Sequence, residues 1–282
     1  MLAVTGATGQ LGRLVIEALL KKVPAQQIVA AVRNPDKAKD LAAKGIQVRL
    51  ADYNHPNTLV SAFANVDKLL LISSSEIGKR TEQHKAVIDA AKAAGVSLLA
   101  YTSLLHTDTS PLMLAEEHSA TEAYIKQSGI PAVILRNGWY SENYTGSVAA
   151  ALSHGAVFGC AKDGKLATAS RADYAAAAAA VLTQPDQAGK VYELAGDNAF
   201  TLTQYAAYIS AASGKKVEYK NLSQAEYIKL LEQVGLPAAV ASMLGDSEAG
   251  AAQGALFDNS KQLSALIGRP TTPIAQSIKA VL

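Results

Sequence analysis

The chain has 282 residues, 49% hydrophobic and 18% charged, an ordinary globular composition with enough apolar material for one large or two modest domains. A formal net charge of +2, with no Lys/Arg cluster interleaved with aromatics, argues against nucleic acid as a direct ligand. The single cysteine, Cys160, excludes an intramolecular disulfide framework and a cysteine-based metal cluster; it suits a reducing cytoplasm and reads as a small apolar filler.

The apolar run 1–4 reads as a first strand. Thr5-Gly6-Ala7-Thr8-Gly9-Gln10-Leu11-Gly12 follows, and Leu11, Leu14, Val15, Ala18 and Leu19 then recur at helical spacing. Strand, glycine turn and helix in that order form the context that a dinucleotide-binding loop requires. Gly6 permits the tight turn, Gly9 keeps a side chain away from a pyrophosphate, and Gly12 lets the helix pack close to the sheet. Free N–H groups at the helix start then face the phosphates. Because this loop occupies the first residues, no secretory leader is expected. No apolar run reaches the ~18 residues of a membrane span, so a cytoplasmic protein without membrane insertion is expected.

Residues 28–32, Ile-Val-Ala-Ala-Val, form a second strand of the continuous apolar kind found in parallel sheets. A carboxylate at its end would suit the ribose 2′-OH of NAD, whereas this chain has Arg33, with Lys37 one helical turn on. The planar fork of arginine suits phosphate oxygens, which favours NADPH; a solvated surface arginine is the alternative. Residues 36–44 read as a helix and 46–50 as a third strand. Asp52 follows, placed either to accept from an adenine amino group or to cap its own loop. A short helix over 58–63 precedes the fourth strand, 68–72, which ends in Ser73, Ser74 and Ser75, small polar residues able to line a ribose. Residues 80–94 read as a helix and 97–103 as the fifth strand, which carries Thr102. This alternation predicts an α/β fold, a Rossmann-like doubly wound parallel sheet with its ligand crevice beyond the carboxyl ends of the strands.

A helix over 112–127 leads to a sixth strand, 131–135, and then to Arg136-Asn137-Gly138-Trp139-Tyr140-Ser141-Glu142-Asn143-Tyr144. A strand-top loop carrying the only tryptophan with so many shaped and polar groups reads as the wall of a nicotinamide and substrate pocket; structural aromatic packing is the alternative. Beyond it the pattern loosens. Strands are expected over 155–159, 190–196 and 216–219, an alanine-rich buried helix over 174–182 with Asp173 as N-cap, and helices over 201–213, 224–234 and 237–244. Residues 245–254, rich in glycine and alanine, read as a mobile flap. Residues 1–138 are expected to form the NADPH-binding Rossmann domain, with 172–197 packing back on it, and 139–171 with 198–282 a smaller α/β lobe on the substrate side.

The whole pattern resembles the atypical short-chain dehydrogenases of the NmrA-like group, and within them the bacterial NAD(P)H:quinone oxidoreductases of type 2. The resemblance is carried by the glycine loop, residues 70–75, 101–106 and 189–196, Leu266-Ile267-Gly268-Arg269-Pro270, and most specifically 135–144. It implies NADPH-dependent two-electron reduction of a quinone without flavin, in a two-domain protein with the cofactor in the interdomain groove. It further implies that Gly6 to Leu11, Arg33, Ser73 to Ser75, and Asn137, Gly138, Trp139, Tyr140, Ser141, Glu142 and Asn143 contact cofactor or substrate. Arg171 is either a further ligand contact or a surface ion-pair partner.

None of the 11 tyrosines has a lysine four residues later, so the Tyr-x-x-x-Lys pair that protonates an alkoxide in typical short-chain dehydrogenases is missing. The helix after the fifth strand offers His118 and Glu122 instead; His118 reads as an acid near neutral pH or as a structural histidine. A quinone tolerates the loss, because hydride addition gives a phenolate-like anion whose conjugate acid has a pKa of about 10, and water can protonate it. Trp139, Tyr140 and Tyr144 then offer flat surfaces for the ring, and Asn143 a donor to the carbonyl oxygen. The scattered histidines show no metal-binding spacing, and no hydrolase elbow or Walker loop is present. The alternative to an enzyme is a non-catalytic NADP-binding redox sensor of the NmrA type.

Overall fold

The computed structural model describes all 282 residues. In chain order the first half contains β1 (Leu2–Thr5), α1 (Gln10–Leu20), β2 (Ile28–Val32), α2 (Lys39–Ala43), β3 (Gln47–Leu50), α3 (Pro56–Ala62), β4 (Lys68–Leu71), α4 (Arg80–Ala93), β5 (Leu98–Leu104), α5 (Ala115–Ser128) and β6 (Ala132–Asn137). The second half contains α6 (Glu142–Thr145), α7 (Val148–His154), β7 (Ala156–Gly159), α8 (Arg171–Thr183), β8 (Val191–Leu194), α9 (Leu202–Ser213), β9 (Glu218–Asn221), α10 (Gln224–Gln233), α11 (Ala238–Ala251), α12 (Gln262–Ile267) and α13 (Ile274–Lys279). Two compact units result: Met1–Thr107 with Glu116–Asn137 and Arg171–Tyr192, and Asp108–Ala115 with Gly138–Ser170 and Glu193–Leu282.

The first unit is built on a seven-stranded sheet of order β3-β2-β1-β4-β5-β6-β8. The five pairings from β3 to β6 are parallel. Every residue of β2 and β5 is buried, as strands covered on both faces require. Val29, Leu69, Leu71, Phe63, Ile88, Leu99 and Tyr101 belong to one buried apolar cluster. The chain winds from β1 outward to β2 and β3, then returns to place β4 on the other side of β1. That reversal opens a crevice at the carboxyl ends of β1 and β4, where doubly wound sheets bind ligands. Helix α8 lies against α1. Its run of buried alanines, Ala175 and Ala177 to Ala180, keeps the two axes close.

Several elements differ from the sequence reading. The helix expected over 36–44 is a 3₁₀ turn, Pro35–Ala38, followed by α2, because the Asn34 side chain caps the Asp36 N–H and starts a tight turn. Asp173 is not an N-cap: α8 begins at Arg171 and Asp173 lies fully buried in its first turn. In the second unit, β7 and β9 pair as a two-stranded parallel sheet. Strand β9 starts two residues late because Ser210 Oγ, on α9, engages both the N–H and the carbonyl of Val217. Thr201 caps α9 in a full capping box with Gln204.

The mobile flap expected over 245–254 is instead the carboxyl-terminal half of α11, with Gly245, Ser247, Glu248, Gly250 and Ala251 buried. The glycines serve close packing: a Cβ on Gly245 would stand 2.4 Å from Ile228 Cγ1, and one on Gly250 would stand 2.2 Å from Leu112 Cδ2. No helix is long and apolar enough to cross a membrane.

Candidate cofactor-binding site

The best-formed cavity, about 370 Å³, lies in the first unit beyond the carboxyl ends of β1 to β4. Its floor is the loop from Gly6 to the start of α1. Gly6 takes a left-handed φ of +56°, which a side chain would strain. The Gly9 N–H donates to the Gly6 carbonyl at 2.8 Å, closing the turn. A Cβ on Gly12 would stand 2.3 Å from the Gly6 carbonyl oxygen and 2.8 Å from Ala7 Cα, so its close approach is to the loop's own backbone rather than to the sheet. Helix α1 has no side-chain cap and no acidic residue in its first turn, leaving its first N–H groups directed to the loop.

Around this floor the structure gathers Gly6, Thr8, Gly9, Gln10, Leu11, Gly12, Arg33, Asp52, Ser73, Ser74 and Ser75, all singled out from sequence. Ala7, fully buried, and Thr102, nearly so, do not line the cavity. Thr102 lies beneath it and accepts from the Ser73 N–H at 2.9 Å. Asp52 lines the cavity while capping its own turn, accepting from Asn54 N at 3.0 Å and facing His55 Nδ1 at 3.0 Å. Partial burial pushes its carboxyl up, but those contacts and the Arg33 charge together hold it below the usual carboxylate range.

Sequence reasoning did not assign Tyr53, Asn54, Glu76 or Gln83, which also line the cavity. The Tyr53 hydroxyl sits 2.9 Å from the Ile72 carbonyl and also reaches Thr5 Oγ1. Thr5 Oγ1 in turn accepts from Ile72 N and donates to the Leu70 carbonyl, so one buried hydroxyl pair ties the ends of β1 and β4 together. Glu76 pairs with Arg33 at 3.1 Å. Gln83 donates to Asn54 Oδ1 at 3.0 Å. No motif marks these residues; only the strand-end position of Tyr53 offered a signal.

The serine loop is held from below by buried side chains. The Ser74 N–H donates to His84 Nε2 at 2.9 Å, and Arg80 Nε donates to the Ser74 carbonyl at 2.6 Å. An accepting Nε2 puts the His84 proton on Nδ1, which faces Thr121 Oγ1 at 2.9 Å. Burial, reinforced by the Arg80 charge, pulls the His84 pKa down to about 3, so the ring is neutral.

His118 is likewise structural. Its Nδ1 meets the buried Tyr101 hydroxyl at 2.7 Å, and burial foremost lowers its pKa to about 3. A histidine so placed is not an imidazolium near neutral pH, which favours the structural reading of His118 over the acid one. Glu122 accepts from Arg136 Nε at 3.1 Å and Nη2 at 2.9 Å, a forked pair that also binds Ser103 Oγ. At the end of β6, Asn137 is buried with Oδ1 lacking a hydrogen-bond partner.

In the second unit, 138–144 leads from extended backbone into α6. Tyr140 bridges Ala169, Ser141 N donates to the Ala169 carbonyl at 2.9 Å, and Ser141 Oγ lies 2.9 Å from Thr168 Oγ1. Ser141 is thereby fully buried, Gly138 is buried, Trp139, Tyr140 and Glu142 are half-buried, and Asn143 is exposed. Tyr144 is a core residue rather than an open flat surface: it is buried, with Phe200 and Tyr205 at its edges. Arg171 opens α8 in the first unit. Cys160 is buried, and burial foremost pushes its thiol up to about 12, consistent with an inert filler. No three His, Cys, Asp or Glu side chains are grouped to hold a metal ion.

The chain is 62% identical to quinone oxidoreductase 2 of Escherichia coli (strain K12), over 99% of this chain and 97% of that protein. It superposes with a TM-score of 0.98, at 61% identity, on the crystal structure of the E. coli NADPH-dependent quinone oxidoreductase complexed with NADPH, covering 100% of this chain and 99% of that one. It also matches the Citrobacter sp. triphenylmethane reductase complexed with NADP(H), with a TM-score of 0.96 at 40% identity and full coverage of both chains. The model of the NmrA-like family matches residues 1–272. The chain belongs to the NmrA-like family.

Proposed function

We infer that this protein is an NADPH-dependent quinone oxidoreductase. The observation that carries the reading is the strand-end cavity of the first unit, where a glycine floor too tight for side chains faces Arg33 and a serine loop. The match to the E. coli enzyme, 62% identical over 99% of this chain, supports the same activity. The residues fit the cofactor: the first N–H groups of α1 carry no side-chain cap and no acidic neighbour where a pyrophosphate approaches, and Asn137 keeps a buried acceptor without a protein partner. NADPH, when bound, supplies the hydride.

The chain's own residues hold and orient. The N–H groups at the start of α1 receive the pyrophosphate, and Arg33, with Lys37 beside it, receives the 2′-phosphate. Ser73, Ser74 and Ser75 line the cavity on a backbone fixed by Thr102, His84 and Arg80. Trp139 and Tyr140 offer faces for a flat electron-poor ring, and Asn143 donates to the quinone oxygen as charge builds on it. Neither His118 nor Tyr101 serves as an acid: the first is neutral and the second is pushed well above its ordinary pKa, foremost by burial. The hydroquinone anion therefore takes its proton from water.

The test is NADPH oxidation measured across a small panel of quinones and aldehydes. Turnover with quinones and none with simple aldehydes is expected, since an alkoxide needs the missing acid. Tight binding of NADPH without oxidation by any quinone would favour the sensor reading instead.

A further inference from the structure

The cavity that receives NADPH carries an unassigned carboxylate on its rim. Glu76 Oε1 lies 3.1 Å from Arg33 Nη1, and Glu76 Oε2 lies 3.9 Å from Lys79 Nζ. Arg33 is the cation that the reading above gives to the 2′-phosphate, and the inference rests on that assignment. Glu76 is not a roaming surface side chain, being 33% exposed against 66% for Arg33. Its N–H donates to Ser74 Oγ at 3.1 Å, and Ser74 is clamped through its own N–H by His84 and through its carbonyl by Arg80. A buried framework on α4 thus presents this carboxylate to the mouth of the cavity. The other charged residues lining the cavity are Arg33, Lys37 and Asp52, and Lys79 stands beside Glu76.

We propose that Glu76 is a specificity-determining residue that competes with the cofactor's 2′-phosphate for Arg33 and so moderates the preference for NADPH over NADH. The 2′-phosphate carries close to two negative charges near neutral pH. Reaching the Arg33 fork, it must displace or share the contact with Glu76 and stand beside its charge. Two effects oppose. Glu76 holds Arg33 in place, which favours binding, but an exposed pair contributes a factor of at most about five. Against this stand the partial loss of that pair and repulsion between the carboxylate and a nearly dianionic group at a few ångströms, which acts on every bound NADPH and on no bound NADH. Repulsion prevails, and its signature is selectivity for the 2′-phosphate.

The experiment measures dissociation constants for NADP⁺ and NAD⁺ by calorimetry with wild type, Glu76→Gln, Arg33→Ala and the double variant. Glu76→Gln should tighten NADP⁺ about three- to tenfold and move NAD⁺ less than twofold. Arg33→Ala should abolish most of the preference for NADP⁺, and in that background Glu76→Gln should keep only the part of its selective effect that comes from direct repulsion of the 2′-phosphate. Equal changes for the two cofactors on Glu76→Gln, or weaker NADP⁺ binding, would overturn the proposal while leaving the Arg33 assignment standing. Retained preference in Arg33→Ala would overturn that assignment and the competition built on it.

Discussion

Gly12 leaves no room for even one carbon, because the atoms a Cβ would meet are backbone and cannot rotate away. Gly12→Ala should therefore displace the loop, costing about 1–3 kcal/mol of stability. The larger effect should fall on NADP⁺ affinity, since the displaced carbonyl and N–H groups belong to the cavity floor. Thermal unfolding with and without NADP⁺ checks both effects, and a variant that binds as wild type does would show the clearance to be unneeded. Asn143 presents the converse case, an exposed amide with no bulk to accommodate. Its proposed role is confined to charge that grows on the quinone oxygen, so Asn143→Ala should lower kcat by about ten- to a hundredfold while moving NADPH affinity less than threefold. An unchanged kcat would remove it from the reaction. Residues of this kind were legible because glycine spacing and strand-end position both have a physical meaning in sequence. Glu76 and Gln83 were not: they reach the cavity from the turn before α4 and from its first turns, and nothing local marks a helix residue as facing a neighbouring strand end.

At the level of elements, the alternation of strand and helix through β6 was readable from apolar runs and their breaks, whereas α11 was misread. Its glycines and alanines suggest flexibility when taken alone, yet they let the helix settle against Ile228 and Leu112 at distances no larger residue permits. The misreading has a physical origin: composition reports propensity, and tertiary packing overrode it. Helix α11 also carries Glu248 into the core, where Oε2 accepts from the Cys160 N–H at 2.7 Å just beyond β7. Burial foremost raises this carboxyl from 4.5 to about 7. The folded state thus holds the proton more tightly than the unfolded chain. Stability from this group is fully present below pH 4.5 and is lost as pH rises through about 7, to a total of up to about 3 kcal/mol. Glu248→Gln keeps an acceptor for Cys160 without a titratable charge. It should gain on wild type as pH rises from 5 to 8, checked by urea unfolding at the two values. A constant difference between the proteins would show that Glu248 does not titrate in this window.

For the molecule as a whole, the opposite pH limit is set in the first unit. His84 and His118 are buried and neutral, each lowered from 6.5 to about 3 by desolvation foremost and by Arg80. A proton on His84 would land on Nε2, whose lone pair accepts from the Ser74 N–H, and a charged His118 would stand buried beside Tyr101 under the field of Arg80. The unfolded chain binds protons at both histidines below about pH 6.5 and the folded chain does not until about pH 3. Their contribution is therefore fully present above pH 6.5 and is lost as pH falls through that interval. We expect stability to decline progressively from pH 6.5 to pH 4, measured by urea unfolding. His84→Gln should flatten the slope by close to one proton's worth. The same descent should weaken NADP⁺ binding, because His84 anchors the serine loop that lines the cavity. Opening that loop is coupled to protonation, so the protection of amides 73–76, taken relative to intrinsic exchange at each pH, should fall below pH 5 before the rest of the sheet responds. Saturating NADP⁺ should oppose the change by mass action, contributing about 2.7 kcal/mol at a hundredfold excess over its Kd. Uniform exchange across β1, β4 and the serine loop at low pH would show that the two histidines act on global unfolding alone and not through the cofactor cavity.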